Sequence, residues 1–214
     1  MKKYFFFWLS AIVFISCGKK IEGGTEFYFN DPQPVNDSEL SLIPSKFIGE
    51  YSNGKNETLI VSQTAIYKQF NTMYPKSIID SLGVLKNGKL TTNDTYEVLD
   101  AEIIGDSLYI KGIFGDTIFK FSPVHKMKRI NGNLVVSSKD SIFWRANIIS
   151  LTKDSLKIKY LTDKEDYNQI KPLVKNIKTN EDTTVVKINP TRREFARILK
   201  IKKFGWEQGY KKIK

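Results

Sequence analysis

The side chains that could carry out chemistry in this chain are few. His125 is the only histidine and Cys17 the only cysteine among the 214 residues. A single histidine cannot supply a zinc site built from several histidines, and no Gly-x-Ser-x-Gly sequence places a serine nucleophile beside it. The acidic cluster Asp163, Glu165 and Asp166 has the residue types of a glycosidase pair, but clustered acids on a loop are more often solvated. We therefore expect a protein that is not an enzyme and has no metal or cofactor, and a hydrolase is the alternative.

Cys17 follows a segment with the pattern of an export signal. Lys2 and Lys3 precede a thirteen-residue apolar run from Tyr4 to Ser16, and Cys17 comes directly after it. The run is shorter than the roughly 20 apolar residues that a membrane-spanning helix needs. Its basic start is typical of a secretory signal. Residues 1–16 are therefore predicted to be a signal peptide that is removed.

The end of this segment, Phe14-Ile15-Ser16-Cys17, resembles the lipobox of bacterial lipoproteins, in which the cysteine is acylated and becomes the mature N-terminus. The resemblance implies palmitate-type acylation at Cys17 and a place in the cell envelope of a Gram-negative bacterium. By the same resemblance, Gly18 implies a lipid anchor in the outer membrane. Two or three acyl chains, at about 0.8 kcal/mol per buried methylene, make such anchoring stable. The alternative is an ordinary signal peptide followed by a free thiol.

A three-residue phrase recurs along the chain: an aspartate, a hydroxyl residue and, in most copies, an aliphatic residue. The aspartate side chain can bond to backbone amides one or two residues on, so each copy favours a turn that leads into a strand. The phrase also resembles the sequon at which some Gram-negative bacteria O-glycosylate exported proteins. This resemblance implies the following acceptors: Ser81, Ser107, Thr117, Ser141, Ser155 and Thr183. Both interpretations stay open.

The stretch from Tyr96 to Leu161 must position most of these residues. It consists of short runs that alternate apolar and polar residues, separated by turn signals such as Asn131-Gly132. Such alternation predicts half-buried antiparallel strands joined by hairpins. The predicted strands are 96–104, 107–113, 117–121, 124–130, 133–138, 141–150 and 155–161. The fold class is therefore mainly β, an antiparallel meander that closes into a barrel or a two-sheet sandwich.

An earlier strand adds a further resemblance. Phe47-Ile48-Gly49-Glu50-Tyr51 places a glycine two residues before an aromatic one, which resembles the start of lipocalin-like barrels, although Tyr51 stands where tryptophan is usual. The resemblance implies a binding module for a small apolar or amphipathic ligand. Inward residues would then line its cavity: Trp144, Leu156, Ile158 and Tyr160. The alternative is an accessory lipoprotein whose barrel is filled and whose outer surface contacts a protein or an envelope polymer.

The remaining chain is predicted from local signals. Residues 17–43 are expected to be the lipidated N-terminus and a tether, and residues 44–214 a single β-rich domain. Thr191 and Glu194 have the spacing of a capping box, and Phe195 and Ile198 fall on one face of the following turns. We therefore predict an amphipathic C-terminal helix over residues 192–203.

Most of the net charge lies near the C-terminus. Residues 187–214 contain ten Lys or Arg and two Glu, whereas the formal charge of the whole chain is +11. Such a tail can contact anionic headgroups, at about 1 kcal/mol per basic residue, or an acidic polysaccharide. The basic residues in question are Arg192, Arg193, Arg197, Lys200 and Lys203. The alternative is a helix packed on the body with a solvated basic face. Nucleic acid is not an expected partner, because the signal exports the chain.

Overall fold

A computed structural model describes residues 24–214, so Cys17 and the predicted signal peptide lie outside the described residues. The strands are β1 Glu26–Phe29, β2 Gly49–Ser52, β3 Glu57–Val61, β4 Ala65–Pro75, β5 Gly83–Lys86, β6 Lys89–Thr92, β7 Val98–Ile104, β8 Ser107–Lys120, β9 His125–Ile130, β10 Asn133–Asp140, β11 Phe143–Thr152, β12 Ser155–Tyr160, β13 Ile177–Thr179, β14 Val185–Ile188 and β15 Trp206–Lys212. The α-helices are α1 Ile79–Leu82, α2 Lys164–Ile170 and α3 Arg192–Ile198. The predicted mainly β fold is confirmed.

The strands form one large mixed sheet in the order β13-β14-β1-β11-β12-β15-β2-β3-β4-β8-β7-β6-β5, with β10 and β9 on the other edge of β11. The β1–β14 pair is parallel, and the other strand pairs within residues 24–214 are antiparallel. Closure into a barrel, one of the two predicted forms, is not found in this part of the chain. An irregular segment that contains Leu40 lies along β9 instead, and the Leu40 N–H donates to the Met127 carbonyl at 2.8 Å.

The sheet nevertheless curves strongly. Strands that are far apart in the sheet order, from β8 through β4, β3, β2, β15, β12 and β11 to β10 and β9, contribute side chains to one common core. We call this cluster the inner core. Its buried members are Ile43, Phe47, Tyr51, Leu59, Val61, Ile66, Phe119, Met127, Leu134, Val136, Ile149, Leu156, Ile158 and Tyr210. Residues so distant along the sheet can meet only if the sheet wraps around them.

A second cluster, the outer core, lies on the opposite face of β9, β10 and β11. It is covered by β1, β14 and the two longer helices. Its buried members are Phe27, Phe29, Ile130, Val135, Ala146, Ile148, Leu161, Ile170, Val174, Val186, Ile188, Phe195, Ile198 and Phe204. A smaller distal core of Leu90, Ala101, Leu108 and Ile110 lies beneath α1. The central strands are thus buried on both faces.

The segment predicted as a tether, residues 17–43, contains a strand of this sheet. Glu26–Phe29 forms β1, which pairs with β14 along its whole length and with β11 at its end. Phe27 and Phe29 alternate with more exposed neighbours and are buried in the outer core. Burying such a side chain contributes about 1.5–3 kcal/mol, which explains why this stretch is ordered on the body. Ile43 is also buried, in the inner core.

The C-terminal helix is shorter than predicted. The capping box is confirmed, because the Thr191 hydroxyl accepts from the Glu194 N–H at 3.3 Å and the Thr191 N–H donates to the Glu194 carboxylate at 2.8 Å. However, α3 ends at Ile198 rather than at residue 203. Phe204 is buried in the same outer core as Ile198. If α3 continued as a straight helix to residue 203, it would carry Phe204 away from this core. The helix therefore ends before Phe204.

One predicted turn is also absent. Residues 107–113 and 117–121 were expected to be separate strands, whereas Ser107–Lys120 forms one continuous strand, β8. Its pairing with β4 shows several register shifts instead of a hairpin. Gly115 lies at these irregularities, packed against the ring of Phe70. β-Bulges bend a strand without ending it, which is how the chain passes from the inner to the distal core.

We expect Gly115→Ala to lower the free energy of unfolding by about 1–3 kcal/mol, because a Cβ would overlap the Phe70 ring and force repacking. Its distance to Phe70 Cδ2 would be only 2.7 Å. Gly209→Ala is the matched control, since a Cβ there meets no atom within 4 Å. Urea unfolding of both variants measures the difference. Equal stability of the two variants would show that Gly115 is not needed for close packing.

Candidate functional site

The four residues predicted to line a ligand cavity do not meet in one. Leu156 and Ile158 are fully buried members of the inner core, and Tyr160 packs against that core. Trp144 packs against the outer core, on the other face of the sheet. Successive side chains of a strand point to opposite faces, and β11 therefore separates Trp144 from the other three. Leu156 and Ile158 are each 0% exposed and pack against other side chains of the inner core.

A polar cluster adjoins the inner core. The Glu57 carboxylate accepts hydrogen bonds from the Tyr210 hydroxyl and from Gln208 Nε2, the latter at 2.9 Å. Lys68 Nζ lies 3.2 Å from the same carboxylate and also donates to Gln208 Oε1 at 3.3 Å. These four residues come from β3, β4 and β15. The cluster therefore joins strands from opposite ends of the chain.

The tyrosines of this region remain protonated. Burial, together with the hydrogen bond to Glu57 and its charge, raises the pKa of Tyr210 above its usual range. Burial and the charge of Glu57 also raise the pKa of Tyr160. A tyrosine with a raised pKa is a hydrogen-bond donor and not a base near neutral pH. The hydrogen bonds of the cluster thus join β3, β4 and β15.

His125 makes a local contact. Its Nδ1 lies 3.0 Å from the Ser122 hydroxyl, three residues earlier in the same turn. A hydrolytic triad would also need a carboxylate to orient the imidazole. Among the hydrogen bonds of residues 24–214, none joins a carboxylate to His125.

The acidic cluster near residue 165 is used in capping. Asp163 and Asp166 form the capping box of α2, and Asp166 also accepts from the N–H groups of Thr162, at 3.1 Å, and Gly205. Burial raises the pKa of Asp166, although these hydrogen bonds oppose the shift. Both carboxylates are occupied by backbone amides. Within the described residues, no group of three or more His, Cys, Asp or Glu is placed to hold a metal ion.

The six predicted acceptor hydroxyls occupy different settings. Ser81, Thr117 and Ser141 are exposed, whereas Ser107, Ser155 and Thr183 are half-buried. The turn interpretation is confirmed near Ser141 and Thr183, which have φ values of 57° and 62°. It is wrong at Thr117, which lies within β8. O-Glycosylation at these positions stays a prediction.

The predicted basic surface is partly used within the protein. Arg192 pairs with Asp37 at 2.6 Å, and Arg197 donates to the Leu173 carbonyl at 3.0 Å. The other three side chains are exposed: Arg193, Lys200 and Lys203. The apolar face of α3 is buried in the outer core. Across residues 24–214 the helices are all too short or too polar to cross a bilayer.

One surface was missed by sequence reasoning. A solvent-open hollow of about 700 Å³ lies at the edge of the sheet. We call it the lysine groove, and its lining consists of Asn30, Phe143, Lys175, Asn176, Ile177, Lys178, Lys187, Ile188 and Asn189. The groove is built by two short sequences that mirror each other, Asn176-Ile177-Lys178 and Lys187-Ile188-Asn189. This mirror symmetry of the two sequences around a hairpin is the sequence signal that could have revealed the groove.

The mirrored sequences pair like with like. Ile177 lies opposite Ile188, and Lys178 lies opposite Lys187. The isoleucines point towards the outer core, so the lysines point outwards. Lys187 Nζ lies 4.3 Å from the centre of the Phe143 ring. The result is an outward-facing pair of ammonium groups beside an aromatic ring.

We expect Glu57→Ala to lower the free energy of unfolding by about 3 kcal/mol, because it leaves the largely buried Lys68 without its counter-ion. The side chains of Glu57 and Lys68 are only 10% and 17% exposed. Glu50→Ala is the control, since its partner Lys214 is 81% exposed, and such surface pairs contribute about 0–1 kcal/mol. Chemical denaturation of both variants provides the comparison. A small loss for Glu57→Ala would mean that the cluster does not hold the strands together.

Comparison of the chain with protein-family models, curated protein sequences and solved structures found no match.

Proposed function

We propose that this chain is a lipid-anchored protein of a Gram-negative cell envelope that is not an enzyme and acts through its outer surface. The observation that carries this proposal is the filled inner core. Phe47, Tyr51, Leu59 and Ile158 are each 0% exposed within it. Small barrels and strongly curved sheets that are packed with bulky side chains have no room for a ligand.

Ligand carriage is less well supported than surface contact. A carrier needs an enclosed space of roughly 300 Å³ or more, and the residues expected to line it are core residues. Two surface hollows of about 700 and 380 Å³, one beside Lys187 and one beside Thr162, are open to solvent. Surface action, which was the alternative at the level of sequence, is therefore the function that we favour.

The position of β1 is compatible with a short membrane anchor. Because β1 begins at Glu26 and pairs within the sheet, most of the predicted tether, residues 17–43, lies on the body of the protein. The residues from Cys17 to Gly24 can span at most about 25 Å. Gly24 packs against the Thr162 carbonyl, since a Cβ there would lie 2.6 Å from that oxygen. Acylation at Cys17 would therefore hold this end of the molecule close to the bilayer.

The surface at this end has a composition suited to a membrane interface. Trp206 is 57% exposed and stacks on Tyr160 with the ring centres 5.3 Å apart. Lys202 and Lys203 are exposed just before it in the chain. Tryptophan and lysine are amphipathic side chains that favour the boundary between headgroups and water. This arrangement supports the proposed orientation.

Acylation is tested by growing cells with a clickable palmitate analogue. We expect the full-length protein to be labelled and recovered with membranes, and Cys17→Ala to lose the label because the acceptor thiol is gone. Phe14→Leu is the matched control, since it places an aliphatic residue in the lipobox and should keep the label. An unlabelled wild-type protein in the cytosol with an intact N-terminus would overturn the proposed anchor and address.

The filled core is tested with Ile158→Ala. We expect a loss of about 2–5 kcal/mol in the free energy of unfolding, because the substitution leaves a cavity in a packed interior. Val98→Ala is the control, as Val98 is 61% exposed and should change stability by about 0.5 kcal/mol or less. Mass spectrometry of the natively purified protein should find no bound lipid beyond the anchor. If the wild-type protein instead carries one apolar ligand per chain, and the Ile158→Ala variant does not, the ligand-carrier function is favoured.

A further inference from the structure

We propose that the lysine groove binds an acidic polysaccharide, with Lys178 and Lys187 contacting its carboxylates and Phe143 and the asparagines contacting its sugar rings. This inference rests on the proposed function only in that the protein acts through its outer surface. It names the part of the surface and the chemical class of the partner.

The first argument is the unpaired charge of the two lysines. Lys178 and Lys187 are directly opposite each other on neighbouring strands, an arrangement in which like charges destabilise a sheet. Neither forms an ion pair with any residue in the described part of the chain. A bound anion would remove this repulsion.

The acids near the groove contact other residues. Glu26 and Asp140 both pair with Arg145, the latter at 3.0 Å. Hydrogen bonds from Tyr28 and Arg145 hold the pKa of Glu26 below its usual value. Asp182, in the turn between β13 and β14, accepts from the Thr184 hydroxyl at 2.8 Å. Each of these acids therefore has a contact other than the two lysines.

The second argument is shape. Lys178 and Lys187 border the groove of about 700 Å³ and also a second hollow of about 430 Å³. The second hollow is lined further by Thr179 and Asn180, in the direction of the hairpin turn. The two lysines thus stand between two adjoining open hollows. An extended chain can occupy both at once, whereas a compact molecule would fill only one.

The third argument is the chemistry of the lining. Each asparagine amide offers both hydrogen-bond donors and acceptors, which suits the hydroxyl groups of a sugar. Asn30, Asn176 and Asn189 supply three such amides beside the flat ring of Phe143. A protein partner would instead favour a central cluster of tryptophan, tyrosine or arginine anchors. The lining therefore favours a polysaccharide over an acidic protein.

The location of the groove argues against a lipid headgroup. Asn30 follows the end of β1, whereas Gly24 precedes its start. Six residues of extended chain cover about 20 Å, so the groove lies away from the end that we place near the bilayer. An acidic polymer that extends from the membrane can reach it there.

Binding is tested with full-length protein purified from membranes in detergent and with polygalacturonate as the probe. We expect binding that weakens as salt is raised, because exposed charges are screened. Fully methyl-esterified pectin has the same backbone without the charge and should bind about tenfold more weakly or worse. Polyglutamate supplies the charge without the sugar and should also bind more weakly. Equal binding of polyglutamate and polygalacturonate would overturn the assignment to a polysaccharide.

The site is tested with two double variants of equal charge change. Lys178→Gln with Lys187→Gln should weaken polygalacturonate binding by about tenfold or more, and thermal melting checks that the variant is folded. Lys55→Gln with Lys86→Gln is the control, because both lysines are exposed and lie outside the groove, and it should bind within about twofold of wild type. If the groove variant binds like wild type, or if both variants lose affinity equally, the groove is not the site.

Phe143→Leu tests the contribution of the aromatic ring to binding separately from that of the lysine charges. We expect weaker binding with the same salt dependence as wild type, whereas the lysine variant should lose part of its salt dependence. Thermal melting checks that the leucine variant is folded. Unchanged affinity in a folded Phe143→Leu protein would remove the ring from the proposal. Failure of all polysaccharide binding by a palmitate-labelled wild-type protein would refute this inference and leave the proposed function in place.

Discussion

The packing of this protein depends on strands that are apolar on both faces. Leu134 and Val136 of β10 point into the inner core, and Val135 between them points into the outer core. Each such side chain contributes about 1.5–3 kcal/mol on burial. A slip of one residue in register would exchange the two faces. The two cores therefore specify the register of the central strands together.

Polar groups that enter this interior are held by partners from distant parts of the chain. Lys128 is buried and donates to the carbonyls of Pro32 and Pro34, both at 3.0 Å. Glu57 is enclosed by Lys68 and Tyr210 in the same way. Unpaired buried charges are costly, so these contacts fix the chain segments that carry them. An interior held in this way is compatible with the proposed action through the outer surface.

The outer surface has two chemically different ends along β1. One end, at Gly24, adjoins the exposed Trp206 and the lysines that precede it. The other end, at Asn30, opens into the lysine groove. The parallel pair of β1 and β14 sets this arrangement, because it brings the residues after both strands to the same edge. The proposed anchor and the proposed polymer site are thereby placed at opposite ends of one strand pair.

The sequence by itself determined the features that depend on near neighbours. The capping box of Thr191 and Glu194 forms as predicted, and Asn131 and Gly132 adopt φ values of 49° and 82° at a hairpin turn. Only the tertiary structure decided which face of β11 holds Trp144, and that β1 pairs with a strand some 160 residues later. A turn or cap is decided by hydrogen bonds within a few residues, whereas pairing and burial depend on which distant surfaces cover a strand. The lysine groove belongs to the second kind, because its two lysines become neighbours only when their hairpin forms and lies against Phe143.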